Sequence, residues 1–83
     1  MSDISFSIKI VDDDGRGMSN IEVSVFDDAF LGTSYQSEYT DSDGWAFFSF
    51  YAVSGSFKGK VYVDGYEVGI SNFYDGDTGS YSI

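Results

Sequence analysis

Apolar and polar residues alternate along most of this chain with a period of two. Ile4, Phe6, Ile8 and Ile10 alternate with Ser5, Ser7 and Lys9, and Ile21, Val23 and Val25 alternate with Glu22 and Ser24. That spacing puts the two sets on opposite faces of a strand and fits no helix. It predicts seven strands, over residues 4–10, 21–25, 33–40, 45–52, 59–63, 66–70 and 78–83. Turn formers separate them: Asp12-Asp13-Asp14-Gly15-Arg16-Gly17, a loop from Asp27 to Gly32, Asp41-Ser42-Asp43-Gly44, Ser54-Gly55-Ser56, Asp64-Gly65, and a polar stretch through Asn72 and Asp75-Gly76-Asp77. Asp64-Gly65 reads as a two-residue type I′ hairpin, because glycine accepts a positive φ without steric cost. Short strands with turn signals every 8–12 residues predict an all-β fold, a single seven-stranded antiparallel β-sandwich over residues 1–83.

Composition narrows the chemistry. The chain of 83 residues has no Cys, His or Pro. A disulfide framework, a thiolate or imidazole metal ligand and a histidine acid–base catalyst are therefore excluded. Lys and Arg total 4 against 14 Asp and Glu, a formal charge of −10. Lys9, Arg16, Lys58 and Lys60 cannot form the basic stripe that nucleic acid needs, and the same shortage disfavours anionic membranes. Of the acids, 11 are Asp and 3 are Glu, which suits a turn-rich β chain. The aromatic share of 19% is too high for a disordered acidic tail. Met1-Ser2-Asp3-Ile4 has neither a basic nor an apolar region, so no signal peptide is expected there. A domain of this size buries about 63% of its unfolded surface, enough to fold without staples.

Strand parity assigns the aromatic residues to faces. A hairpin closed by Asp41–Gly44 sets Thr40 opposite Trp45, Tyr39 opposite Ala46, Ser37 opposite Phe48 and Tyr35 opposite Phe50. Tyr35, Tyr39, Ala46, Phe48 and Phe50 then face inward, and Trp45, Phe47 and Tyr51 face outward. The Asp64-Gly65 hairpin sends Val61, Val63, Tyr66 and Val68 inward and pairs Tyr62 with Glu67 outside. Trp45, Phe47, Tyr51 and Tyr62 are the candidate interface, since several exposed rings exceed the apolar patch a monomer normally shows. The bland alternative is that these rings lie flat over neighbouring stems or under the loop at 27–33.

Ile10-Val11-Asp12-Asp13-Asp14-Gly15, followed by Met18-Ser19-Asn20-Ile21-Glu22-Val23-Ser24-Val25, resembles the opening of carboxypeptidase regulatory-like domains. Thr40-Asp41-Ser42-Asp43-Gly44 with Ala46, Phe48 and Phe50 is similar to their second hallmark, and Gly65-Tyr66 to a third. The resemblance spans roughly residues 6–68. It implies a transthyretin-like, immunoglobulin-like β-sandwich without catalysis, used as a structural or adhesive module. The usual proline of the first turn is missing here.

A further site comes from the residues. The turns after the first, third and fifth strands should share one pole, gathering Asp12, Asp13, Asp14, Asp41, Asp43 and Asp64. Asp12, Asp14, Asp41, Asp43 and Asp64 are the candidate Ca²⁺ ligands, because calcium takes six to eight oxygens in flexible geometry. The competing reading is that Asp precedes Gly because turns favour it. No EF-hand loop is present. The resemblance also implies an internal isopeptide bond of the kind known in related adhesin domains, which would join Lys9 to Asn72 beside Glu22 or Glu67, but Lys9 alternates with core residues and so faces outward.

Together these features point to a non-catalytic module that acts by protein–protein assembly, with copies of itself or with a larger protein surface. Decoration of a virus or phage particle, or a place in an extracellular filament, would suit a small acidic sandwich, so the expected location is extracellular or virion-associated. The alternative is a carbohydrate-binding module that stacks sugars on Trp45, Phe47, Tyr51 and Tyr62. Glycoside hydrolysis by paired carboxylates is a weaker third, since turn-borne Asp residues lack a cleft.

Overall fold

The computed structural model describes residues 2–28, 34–52 and 54–83, and the side chains of all but Ser2 among them. Seven strands make up the described chain: β1 (Ser2–Val11), β2 (Glu22–Asp27), β3 (Tyr35–Tyr39), β4 (Trp45–Ala52), β5 (Ser56–Val63), β6 (Tyr66–Tyr74) and β7 (Thr78–Ser82). They form a three-stranded sheet in the order β4-β1-β7 and a four-stranded sheet in the order β3-β2-β5-β6. The first is called sheet A below and the second sheet B. Most of the loop expected at 27–33, and the start of the third expected strand, lie outside the described residues.

The two sheets face each other across an aromatic core. Phe6 of β1 stacks on Phe73 of β6 at 4.0 Å, and Phe50 of β4 on Phe57 of β5 at the same distance. Phe6 also stacks on Phe48, at 5.7 Å. Ring pairs of this kind add about 0.5–1.5 kcal/mol each beyond the area they bury. Ile4, Ile8, Ile10, Val23, Val25 and Val61 fill the remaining interior and are almost fully buried. β1, β2, β4 and the end of β5 keep the alternation read from the sequence. Gly59 of β5 makes room for it, because a Cβ there would meet Val25 Cγ1 at 2.7 Å.

Three expectations are corrected. First, sheet A is mixed, not wholly antiparallel: β7 runs parallel to β1, with Ser7 beside Thr78 and Val11 beside Ser82. The turn before β7 enforces this. Gly76 N–H donates to Ser5 O at 2.7 Å, Ser7 N–H donates to Asp77 O at 3.0 Å, and Asp75 Oδ1 accepts from Ser5 N–H at 2.9 Å. The chain leaving that turn is already aligned along β1.

Second, β3 and β4 do not form a hairpin. β4 pairs with β1 over eight residues and β3 pairs with β2, so Asp41–Gly44 carries the chain from one sheet to the other. Without the hairpin, Tyr35 and Tyr39 follow the parity of β2 and are 60% and 64% exposed instead of buried. Ala46, Phe48 and Phe50 are inside as expected, because their own alternation and the ladder with β1 agree. Third, Tyr66 and Val68 do not join the core. A bulge sets Val61 opposite Gly69 and Tyr62 opposite Glu67, which leaves Val68 as the extra residue. Tyr66 lies beyond the core at 77% exposure. The type I′ turn itself is present, with φ of 52° at Asp64 and 88° at Gly65.

Candidate functional site

The acidic turns come together as expected, through backbone contacts. Ile10 N–H donates to Gly44 O at 2.9 Å, Met18 N–H to Ile10 O at 2.9 Å, and Asp64 N–H to Glu22 O at 2.8 Å. A Cβ on Gly17 would fall 2.0 Å from Asp43 O, so the two Asp-Gly turns touch backbone to backbone. Thr40, the buried polar residue among those described, ties this pole together. Its Oγ1 accepts from Ile21 N–H at 3.0 Å and donates to Met18 O.

The two turns Asp12-Asp13-Asp14-Gly15-Arg16 and Asp41-Ser42-Asp43-Gly44-Trp45 use one hydrogen-bond scheme. Asp12 Oδ1 accepts from Asp14 N–H and Arg16 N–H at 2.9 and 3.0 Å, and Asp41 Oδ1 accepts from Asp43 N–H and Trp45 N–H at the same distances. In both, the N–H of the first Asp donates to the carbonyl of the fifth residue, and its carbonyl accepts from the N–H of the glycine, whose φ is +83° or +90°. Asp12 is held below the ordinary value of 3.8, first by the Arg16 N–H and then by the other backbone donors and the guanidinium charge. Asp14 Oδ2 pairs with Arg16 Nη2 at 2.8 Å, an exposed contact of small worth. Asp43 and Asp64 stand exposed in their turns. Among the described residues no three carboxylates converge on a point that could hold a metal ion. Through its hydrogen bonds to two backbone N–H groups, the first Asp of each turn serves the backbone.

The four candidate interface residues divide between opposite sides of the molecule. Trp45, Phe47 and Tyr51 project from the outer face of β4 in sheet A, with Phe47 62% and Tyr51 60% exposed. Trp45 is half-buried, and Lys9 Nζ lies 5.7 Å from its ring centre, within cation–π range. Beside these rings runs a floor of small hydroxyls: Ser5 and Ser7 of β1, and Ser49 of β4. They line a shallow groove of about 480 Å³, with Phe47 and the turn at Gly76 and Asp77 as walls and Gln36 and Glu38 at the rim. Gln36 reaches from β3 to the free edge of β4, where Nε2 donates to Ser49 O and Oε1 accepts from Ser49 N–H at 3.3 Å. That carboxamide closes the seam between the sheets.

Tyr62 lies on the outer face of sheet B instead. There Phe26 stacks on Tyr35 at 5.0 Å and meets Tyr62 edge-on at 5.2 Å. Lys60 is the cross-strand neighbour of Phe26 and lies 3.9 Å from Asp28, which also faces Lys58 at 3.7 Å. Sequence reasoning missed the Phe26–Tyr35 pair. Phe26 directly follows inward Val25, so its outward parity was readable, but Tyr35 had been turned inward by the assumed hairpin. Lys9 and Asn72 are not brought together. Lys9 is on the outer face of sheet A, and Asn72, in β6 and not in a loop, pairs with Lys58 on sheet B. Comparison of the chain with protein-family models and with curated proteins finds no match.

Proposed function

We propose that this protein is a non-catalytic structural module of transthyretin-like, immunoglobulin-like type that acts by protein–protein assembly, as a virion decoration protein or an extracellular filament subunit does. The observation that carries the reading is the outer face of sheet A, where Phe47 and Tyr51 stand about three-fifths exposed beside a serine floor. On the three strands of that face the charged side chains are Asp3 and Lys9, in a protein of net charge −10. The acids sit mostly in the turns, so the strands of this face present little charge to a partner, with Glu38 and Asp77 at the border of the groove. The resemblance to carboxypeptidase regulatory-like domains supports the same role through its Asp-x-Asp-Gly turns.

Sedimentation velocity over a concentration series, with the emission of Trp45 followed in parallel, tests the reading. Trp45 is the single tryptophan and lies on the proposed face, so assembly there must change its emission. Phe47→Ser should weaken association by tenfold or more while lowering the melting temperature by no more than a few degrees. A wild-type protein that stays monomeric at millimolar concentration, with constant Trp45 emission, would refute self-assembly.

A carbohydrate-binding role is the second reading. It is favoured by Trp45, Phe47 and Tyr51 lying along one strand beside hydroxyl groups, since planar rings stack on sugars. Titration with neutral oligosaccharides separates the two, because sugar binding would change Trp45 emission at constant molecular mass.

A further inference from the structure

We infer that the free edge of β6 takes up an extended strand of another protein, antiparallel, with an uncharged alternating centre and a lysine or arginine at each end. This surface is separate from the outer face of sheet A, so the inference goes beyond the assembly reading and does not depend on it.

The backbone of β6 sets the site. β6 is the last strand of sheet B and pairs there with β5. An antiparallel ladder alternates hydrogen-bonded and non-hydrogen-bonded pairs. At the end of β6, Tyr74 N–H donates to Asp77 Oδ2 at 2.9 Å, and Tyr74 O accepts from Asp77 N–H at 3.0 Å. Tyr74 therefore turns its backbone groups away from Ser56, its neighbour in β5. Counted back by twos, Asn72 beside Lys58 and Ile70 beside Lys60 do the same. Their N–H and C=O groups line the open edge, and among the described residues no turn or loop hydrogen bond takes them. The Asp77 contacts close this window at one end, and the bulge at Val68 closes it at the other.

Edges are commonly guarded by a charge, a proline or a covering side chain. In sheet A the edge strand β4 is covered at Ser49 by the Gln36 carboxamide. Along β6 no residue from Val68 to Tyr74 is charged, and the chain has no proline. Val68, Ile70 and Tyr74 are exposed there, so an added strand gains apolar contact together with its backbone bonds. On the inner side, Tyr81 Oη lies 3.4 Å from the place of a Cβ on Gly69, so small residues suit that side of the added strand.

Charge identifies the occupant. Glu67 flanks the window at one end and Asp75 and Asp77 at the other, in a protein of net charge −10. Lys58 and Lys60 stand one strand further in, where they face Asp28 at 3.7 and 3.9 Å. A cation at each end of the incoming strand is complementary to these acids, and an acid there is repelled. A second copy of β6 fails on this count. Pairing Ile70 with Asn72 across a two-fold axis uses every free group, but it sets Glu67 near Asp75 at both ends. Strand addition draws affinity from main-chain bonds and selects side chains at alternate positions.

The probe is the end-blocked peptide Lys-Val-Ser-Thr-Ser-Val-Ser-Val-Lys, whose threonine and second valine fall opposite Asn72 and Ile70. It is titrated into the full chain, with binding followed by calorimetry and hydrogen exchange read at each amide. The Ile70 and Asn72 amides should exchange fast in the free protein and slow by about tenfold or more with peptide bound. N-methylation of that threonine and valine, or glutamate in place of both lysines, should weaken binding by about tenfold or more. Ile70→Pro should do the same and still fold, since the N–H it removes lies outside the ladder. If that variant melts early, the N-methylated peptide makes the same test on wild type. Phe47→Ser, on the other sheet, should bind the peptide as wild type does. Ile70 and Asn72 amides left unprotected at millimolar peptide would overturn the inference. So would equal binding of the N-methylated or the glutamate-ended peptide, or a wild-type dimer that Ile70→Pro dissolves, which would make a second copy the occupant. None of these results touches assembly through sheet A, which sedimentation of Phe47→Ser tests by itself.

Discussion

Replacing Thr40 with valine removes one hydroxyl and hardly alters the shape of the side chain. Thr40 is 3% exposed, and its Oγ1 serves two backbone groups that belong to the entry of β2: the amide of Ile21 and the carbonyl of Met18. Valine leaves both without a partner. Each orphaned backbone group costs about 1–3 kcal/mol, and the partly buried setting favours the low end, so the pair costs about 2–3 kcal/mol. The added methyl returns about 0.8 kcal/mol of apolar burial. A net loss of about 1.5–2 kcal/mol should lower the melting temperature of a domain this size by about 6–16 °C. Urea titration should show a lower midpoint at unchanged slope, since the folded surface is conserved. Thr40→Ser is the control: it keeps the hydroxyl, loses only the methyl and should cost about 0.8 kcal/mol. If the valine variant is as stable as wild type, or more stable than the serine variant, the hydroxyl does not hold the pole together.

Three further expectations follow from the same geometry. Phe48→Ser should cost about 3–5 kcal/mol by urea titration, because Phe48 is 3% exposed against Phe6, whereas Phe47→Ser should cost about 0.5 kcal/mol or less; equal losses would refute the parity of β4. Gly17→Ala should cost about 3 kcal/mol, since its methyl meets the Asp43 carbonyl, while Gly15→Ala, with open space and φ of +83°, should cost about 1–2 kcal/mol; a thermal melt ranking them the other way would show that the two turns can separate freely. Asp12 has a depressed folded-state pKa, so its contribution to stability is present above its ordinary value of 3.8 and is lost as pH falls below that value through the folded one. Asp12→Asn, whose amide oxygen can still accept both N–H groups, should show a shallower loss of stability with acid than wild type, and an identical acid limb would refute the role given to the carboxylate.

The aromatic residues of β3 and β4 show where one-dimensional reasoning stopped. In β4, every second residue is apolar and small or aromatic, and the ladder with β1 adds a second phase that agrees with the first. In β3, Tyr35-Gln36-Ser37-Glu38-Tyr39 has no aliphatic residue to mark an inner face. Tyrosine is content on either side of a sheet, so nothing within β3 sets its parity and only its partner can. The true partner, β2, gave the opposite answer. For the same reason the Phe26–Tyr35 pair was invisible until the pairing was known, and Tyr62 was grouped with rings on the far side of the molecule.

Local chemistry was legible in the sequence wherever neighbours along the chain decide it. Alternation within β1, β2, β4 and the end of β5 set which residues are buried, and Asp-Gly signals set the type I′ turn and the two matching Asp-x-Asp-Gly turns. These depend on the period of the strand and on the tolerance of glycine for positive φ, and both act over a few residues. The choice of strand partners belonged to the tertiary structure. It decided that β4 leaves β3 for β1, that β7 runs parallel to β1, that a bulge removes Tyr66 and Val68 from the core, that Thr40 ties the turn pole together and that Gln36 bridges the sheets. Partner choice is a competition among contacts far apart in the chain, won by the arrangement that buries the most apolar surface and leaves the fewest backbone groups unpaired, and no periodicity records that competition.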